Sequence, residues 1–498
     1  MNIDHPNEDP SLISFHRPEL RQILDELTLT LDCWSLLNTN GRGTEKSKYL
    51  PQDPGEYKDE YELRLNRATY TPIFRDAIRG YAGLLGRFQL IDPPRTLLEA
   101  EFDVDRQGSS IYTFGNHCDE LALRDGGVYI IVDMLPSSGA NNYLDQAGDG
   151  RRPYLIRVQR RDLINWSTTF KDGREIVDFV VVRQVKAAPP SRGNFGVELE
   201  PVYYLMRPGE TTEYRLEFKD GRWRNKKGAT VKTTAEEVPI SWYGSSASRF
   251  GQGGVPMSGL AELSIQHYQM RSDLVELLHK CAMPVPVRKG APVGPDGRVK
   301  RLMLGSNTGV DIPETGDFKF EEPTGTSLER HQAEISHLED LMDRSSLNFL
   351  YGTNSRTATE ASLRSSQVSS QVSGLVRNKA AAFRHVMLLW AHYSGEEAEL
   401  RRESGIAIND ALINRPIDPS GMAQLLNLHK NKVLSRRTVL DELVRGGVLD
   451  PDLSIADELL RVEEEAGGEE EPQGNNGPQP TKPVDADTLS QENPGDPA

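Results

Sequence analysis

The sequence predicts an α+β fold, and three observations predict it. Two segments repeat apolar residues at alternating three- and four-residue steps: Leu260, Leu263, His267, Met270, Leu274, Leu277 and Cys281, then Leu328, His331, Ile335, Leu338, Met342, Ser345 and Phe349. Such spacing lets a helix bury one narrow stripe along a partner. The chain between them opens with Pro284–Gly297, half glycine and proline, which is no core helix and reads as an insert with short strand-like pieces. Upstream, runs of β-branched and aromatic residues separated by turn residues predict antiparallel hairpins. Two helices around an extended insert suggest a protruding stalk. A stalk is unstable alone and implies neighbours.

In chain order, Pro18–Leu29 reads as helical, followed by loops around Asn38–Lys48 and Pro51–Gly55. From Asp59 a helical period (Tyr61, Leu65, Ala68, Ile73, Ala77, Tyr81, Leu84, Leu85) is broken at Pro72. Val128–Val132 is a continuous apolar run, as in a strand buried on both faces. Strands are expected at Tyr154–Val158, Ile176–Val185, Val202–Met206 and Tyr214–Phe218, with turns at Lys171-Asp172-Gly173 and Lys219-Asp220-Gly221. Gly244–Pro256 reads as a flexible joint. After the seamed helices, Thr353-Asn354-Ser355-Arg356 forms a polar loop, and Thr357–Thr359 with Glu360 starts a third helix running to Tyr393. Ser420–Leu434 and Arg436–Val444 are two more helices, the second capped by Ser435 and ended by Gly446.

The formal charge is −16, of which Glu463–Ala498 carries ten acids against Lys482 alone, leaving −7 for the rest. That segment, also rich in Pro, Gly, Asn and Gln, is expected to be disordered. Acidity is therefore a tail property and does not exclude nucleic acid elsewhere. The start, Met1-Asn2-Ile3-Asp4-His5, has no basic flank or apolar run, so no secretory signal is expected, and no window reaches the ~18–20 apolar residues of a membrane helix. Three scattered cysteines, Cys33, Cys118 and Cys281, fit a reducing compartment.

No catalytic, metal or cofactor constellation survives inspection. Gly41–Ser47 lacks the spacing of a phosphate loop, and Gly251–Gly254 reads as a hinge. His117-Cys118 is better read as structural than as a thiol nucleophile. His385 and His392 share a helix face but stand about 10 Å apart, too far for one metal. His267 and His331 at seam positions read as buried, hydrogen-bonded histidines, and Glu339, Asp340 and Asp343 as a solvated face. The third helix repeats Ser362, Ser365, Ser366, Ser369, Ser370 and Ser373, suited to close approach to a second helix or a hydrated wall, or simply an amphipathic helix. Arg356 is the residue type that meets phosphate.

Several segments resemble portal proteins of tailed double-stranded-DNA phages, in a branch long labelled only as a domain of unknown function. They are Gly-Gly-Val-Pro-Met-Ser-Gly-Leu-Ala-Glu-Leu-Ser-Ile-Gln-His-Tyr-Gln (253–269), Tyr61–Arg87, Arg152–Trp166, Thr357-Ala358-Thr359-Glu360 and Leu434-Ser435-Arg436-Arg437-Thr438. The likeness spans roughly residues 55–460 and implies a ring, usually of twelve copies, at one capsid vertex, conducting DNA during packaging and ejection. It implies a wing at 1–256, stem helices at 257–283 and 324–350, a clip at 284–323, a tunnel loop at 351–358, and a return helix with further wing and crown at 359–462, before the acidic tail at 463–498. Thr353, Asn354, Ser355 and Arg356 would then line the channel. Arg288, Lys289, Arg298, Lys300 and Arg301 would meet the terminase large subunit and later a head–tail adaptor. Leu260, Leu263, Met270, Leu274, Leu277, Leu328, Ile335, Leu338 and Met342 would form the stem seam. Major capsid and scaffolding proteins are further implied partners; no catalysis, cofactor, metal or membrane is implied, and the place of action is the virion.

Two alternatives belong to other classes. An adaptor or other ring-forming capsid component would typically be shorter and lack two helices around an insert. An enzyme acting on nucleic acid would need a metal-ligand or phosphate-loop constellation.

Overall fold

The computed structural model describes residues 6–35, 48–135, 151–171, 173–187, 196–197, 199–246, 249–281, 285–289, 316–321, 326–345, 358–408, 419–431, 433–445, 448–449 and 454–467. The chain divides into two compact units, 1–415 and 416–498. In the first unit come α1 Pro18–Arg21, α2 Leu24–Ser35, α3 Lys58–Arg67, α4 Ile73–Leu85, β1 Phe88–Ile91, α5 Arg95–Glu99, α6 Ile111–Asp125 and β2 Gly127–Met134. Next are β3 Pro153–Gln159, β4 Leu163–Lys171, β5 Arg174–Ala187, β6 Leu199–Arg207, β7 Glu210–Lys219, β8 Arg222–Lys232 and β9 Ile240–Gly244. The unit ends with α7 Ser258–Cys281, β10 Val285–Lys289, β11 Asp317–Glu321, α8 Thr326–Ser345, α9 Ala358–Ser394 and β12 Gly405–Ile408. In the second unit are α10 Pro419–Lys430, α11 Arg436–Arg445 and α12 Ile455–Gly467.

The sheets are antiparallel: three strands in the order β3-β2-β9, five in the order β4-β5-β6-β7-β8, and the pairs β1-β12 and β10-β11. The apolar run in β2 now has its reason. Val128, Ile130 and Val132 pack with α6 and α9, while Tyr129 and Ile131 join Trp166, Val180 and Tyr203 of the five-stranded sheet. Because successive strand residues point to opposite faces, a strand covered on both sides must be apolar throughout.

Turn chemistry acts as expected where the structure describes it. Gly173 and Gly221 have φ of 78° and 75°, and Asp220 of 53°, at the hairpin ends. Pro72 separates α3 from α4, and the Ser435 hydroxyl accepts from the Thr438 N–H at 3.1 Å, capping α11.

Three expectations are corrected. The glycine-rich stretch before α7 is no loose joint. The Arg160 guanidinium, 3% exposed, donates to the carbonyls of Gly251, Gly253 and Gly254, and to that of Asp125. A Cβ at Gly126, where φ is 80°, would sit 2.2 Å from the Gly254 oxygen. The backbones approach too closely there for any side chain. Second, α7 does not protrude along its whole length, as the next section describes. Third, α12 continues as helix to Gly467, past the expected start of the disordered tail at Glu463; residues 468–498 lie outside the described residues.

Candidate functional site

The paired helices α7 and α8 are built in two regimes. At the start of α7, Leu260, Ala261, Ile265 and Tyr268 are buried in one core with Cys33 of α2, Ala68, Tyr70, and Phe74 and Ile78 of α4. Burial there covers more than a stripe, since Ser264 and His267 are also sequestered. The Cys33 thiol contacts the Ala261 carbonyl at 3.5 Å, and burial pushes it up to about 12. Toward the far end only one face remains covered: Leu274 is buried, Leu277 half-buried and Leu278 43% exposed. Helix α7 is therefore embedded over about half its length, or ~20 Å of its ~36 Å, and covered on one face beyond that.

The α8 seam follows its sequence pattern. Ile335, Leu338 and Met342 are buried and Leu328 and His331 half-buried, while the residues between them are exposed except Glu339 and Leu341, which are half-buried. Ser345, at a seam position, is exposed, and Phe349 lies outside the described residues. Met342 enters the same core as Leu260. Between the helices the buried His267 shares a 3.1 Å hydrogen bond with Glu339, so this carboxylate is a cross-helix partner rather than part of a free solvated face. Arg67 of α3 pairs with Glu276 at 2.5 Å, tying α7 laterally to the domain where its core ends.

Beyond α7 and α8, β10 and β11 form a two-stranded ladder with Val285 opposite Glu321 and Lys289 opposite Asp317. Arg288 and Lys289 lie on β10 of this hairpin. Arg298, Lys300, Arg301, Thr353, Asn354, Ser355 and Arg356 fall outside the described residues.

The helix that follows, α9, enters the core between the three-stranded sheet and α6. Its inward stripe is Leu375, Lys379, Phe383, Val386 and Trp390, and Lys379 occupies an apolar position in it. The Lys379 ammonium is wholly buried. It donates to Asp119 Oδ2 at 2.7 Å and to the Leu85 carbonyl at 2.8 Å, and lies 4.4 Å from the Phe88 ring centre. The Tyr243 hydroxyl donates to Asp119 Oδ1 at 2.9 Å. Burial raises the Asp119 carboxyl to about 6, opposed by Lys379 and by the tyrosine. One ion pair thus joins α4, α6, β9 and α9. Sequence reasoning passed over both partners. A lysine at the apolar step between Leu375 and Phe383 was the available signal.

The other singled-out residues are structural. Cys118 is fully buried and its thiol is pushed well up by desolvation, opposite to a nucleophile's need. His385 faces Glu237 at 3.4 Å, while His392 pairs with Glu397 and lies 3.2 Å from the Thr234 carbonyl, so the two histidines serve separate contacts. Among the described residues no group of three or more His, Cys, Asp or Glu is placed to hold a metal. No helix among them is long and apolar enough to cross a membrane.

Residues 256–394, from the start of α7 to the end of α9, match the model of a family described as Domain of unknown function (DUF4055). Similar solved structures come from the particle of a gene transfer agent. The virion of its native particle aligns at 14% identity and a TM-score of 0.39, over 80% of this chain and 96% of that one. The neck of the empty particle, computed with C6 symmetry, gives the same values. The neck of the native particle, computed with C12 symmetry, aligns at 12% identity and 0.35, over 66% and 79%. No curated protein matches the chain.

Proposed function

We propose that this chain is a portal subunit: a ring-forming head–tail connector that conducts double-stranded DNA and has no catalytic step of its own. The observation that carries the reading is the pair α7–α8. Helix α7 is rooted in the core of a mixed α+β domain by its first half, α8 and the far half of α7 are covered along one stripe, and the two helices flank a small two-stranded ladder. Single-stripe helices leave most of their surface to water or neighbours, and a ring supplies the neighbours. In these terms α7 and α8 are the stem, the β10–β11 hairpin belongs to the clip, and α9 returns from the tunnel loop into the wing.

A conduit should not grip its cargo, because each phosphate neutralised by a lysine or arginine adds affinity through counterion release. The exposed stem face is accordingly mixed, with Glu329, Glu334, Asp340 and Asp343 beside Arg330 and Arg344. Arg356 and Asn354 would touch DNA transiently, and Arg288 and Lys289 would face first the packaging motor and later an adaptor.

Electron microscopy of the purified chain, with mass by light scattering, tests this. Rings with a central hole and a mass near a dozen subunits are expected. A monomer or dimer that persists across salt and protein concentration, or nucleotide hydrolysis by the chain alone, would overturn it.

A further inference from the structure

The five-stranded sheet ends in an edge that the conduit reading does not use. Strand β8, Arg222–Lys232, carries five bases and no acid, and every residue except Trp223 is exposed. Among the described strands its ladder partner is β7 alone. From Arg222 to Lys227 the ladder is regular, pairing Arg222 with Lys219 through to Lys227 with Tyr214, before a bulge shifts the register. Within those six residues, four are cationic. Arg222, Arg224 and Lys226 share one face. Asn225, on the other, receives the Ile13 N–H at 2.8 Å and donates to the Ser11 carbonyl, so the chain's N-terminal segment covers that side.

Two of the bases have internal neighbours, Arg224 with Asp220 at 3.2 Å and Lys226 with Glu217 at 3.9 Å, all of them solvent-exposed pairs of little strength. Among the described residues no ion pair joins Arg222 or Lys227. A strand exposed on its outer face, with an open row of backbone donors and acceptors, is a template for another strand. The charges decide which. A second copy of β8 would set cations opposite cations, which is destabilising across a ladder.

We propose that Arg222–Lys227 is a docking edge for an extended acidic segment of a partner protein. The segment adds to the sheet as a sixth strand, with carboxylates at alternate positions opposite Arg222, Arg224 and Lys226. Backbone pairing supplies the register, and the alternation, at about 6.8 Å for every second residue, selects the sequence. This edge is separate from the α7–α8 pair and does not depend on the conduit reading.

The test uses the full chain and a fluorescein-labelled twelve-residue peptide of alternating Glu and Thr. Binding is expected, with amide exchange slowed across residues 222–227, and with affinity weakened about ten-fold or more by R222E/R224E/K226E. If the triple variant loses its native circular dichroism, Arg222→Glu alone, at an exposed side chain, carries the comparison. A peptide with Pro at each Thr position cannot form the ladder. Equal binding of that peptide would reduce the effect to diffuse attraction and sink the proposal. So would failure of the Glu/Thr peptide to bind, or tighter binding of a duplex DNA oligonucleotide at this strand.

Discussion

At the scale of single residues, three buried side chains govern the domain, and each does so by satisfying backbone or charge rather than by volume. Lys379 and Asp119 are both at 0% side-chain exposure, so removing either leaves the other as an uncompensated buried charge. Lys379→Met is expected to lower stability by about 3–5 kcal/mol in chemical denaturation. The double variant Lys379→Met/Asp119→Leu should recover most of that loss. A double variant as unstable as the sum of the singles would show that the two groups do not act as a pair. Arg160 plays the corresponding part for four carbonyl oxygens. His16 offers a pH signature: burial, with Arg183 and Arg21 nearby, lowers its pKa to about 4. A depressed histidine contributes stability that is full above its unfolded value of 6.5 and is lost as pH falls toward 4. Wild type should therefore weaken between pH 6.5 and 4 more steeply than His16→Gln, as read from melting temperatures across that range.

Among elements, α7 changes character along its length, and mutation should reveal it. Leu260→Ala, inside the core, is expected to cost about 3 kcal/mol, and the half-buried Leu277→Ala about 1 kcal/mol or less in the isolated chain. Equal costs would mean that the far end is as well supported as the near one. The extents of α7 and α9, the seam of α8 and the double-faced β2 were legible, because periods of 3.6 and 2 report which faces are covered. The one helix expected at Pro18–Leu29 is instead two, Pro18–Arg21 and Leu24–Ser35, and the one expected at Ser420–Leu434 ends at Lys430. Several elements were not. Helix α6 buries Asp119 beside Cys118 and half-buries Asn116, His117 and Glu120 around them, so its apolar stripe is interrupted by polar and charged residues. Strand β8 is nearly all polar, and its order comes from pairing with β7 rather than from its own hydrophobicity. The glycine-rich stretch 251–254 read as a hinge because its partner, Arg160, lies about ninety residues away; no local pattern announces a long-range clamp.

On the scale of the whole molecule, the first unit holds three hydrophobic clusters and the sheets, while α10, α11 and α12 belong to the second. A chain ending at Arg415 is expected to keep the far-UV circular dichroism per residue and the main melting transition of the full protein. Loss of cooperative melting on that truncation would show that the first unit borrows its stability. The charge is also divided by region, since the strongly acidic stretch lies beyond α11 and leaves the larger unit close to balanced. Assembly of the proposed ring should therefore depend only mildly on ionic strength, as followed by light scattering between low and moderate salt.

The lysine inside α9 has a mechanical corollary. That helix is 37 residues long, some ~55 Å, and its ammonium has one berth, between a carboxylate, a carbonyl and an aromatic ring. A rod keyed in this way cannot creep: a slip of one residue would strand both charges in oil. Force arriving at the end near Ala358 is thus resisted outright, because even a whole-turn shift of about 5.4 Å would bring Leu375 or Phe383 to the place of Lys379 and leave Asp119 unpaired.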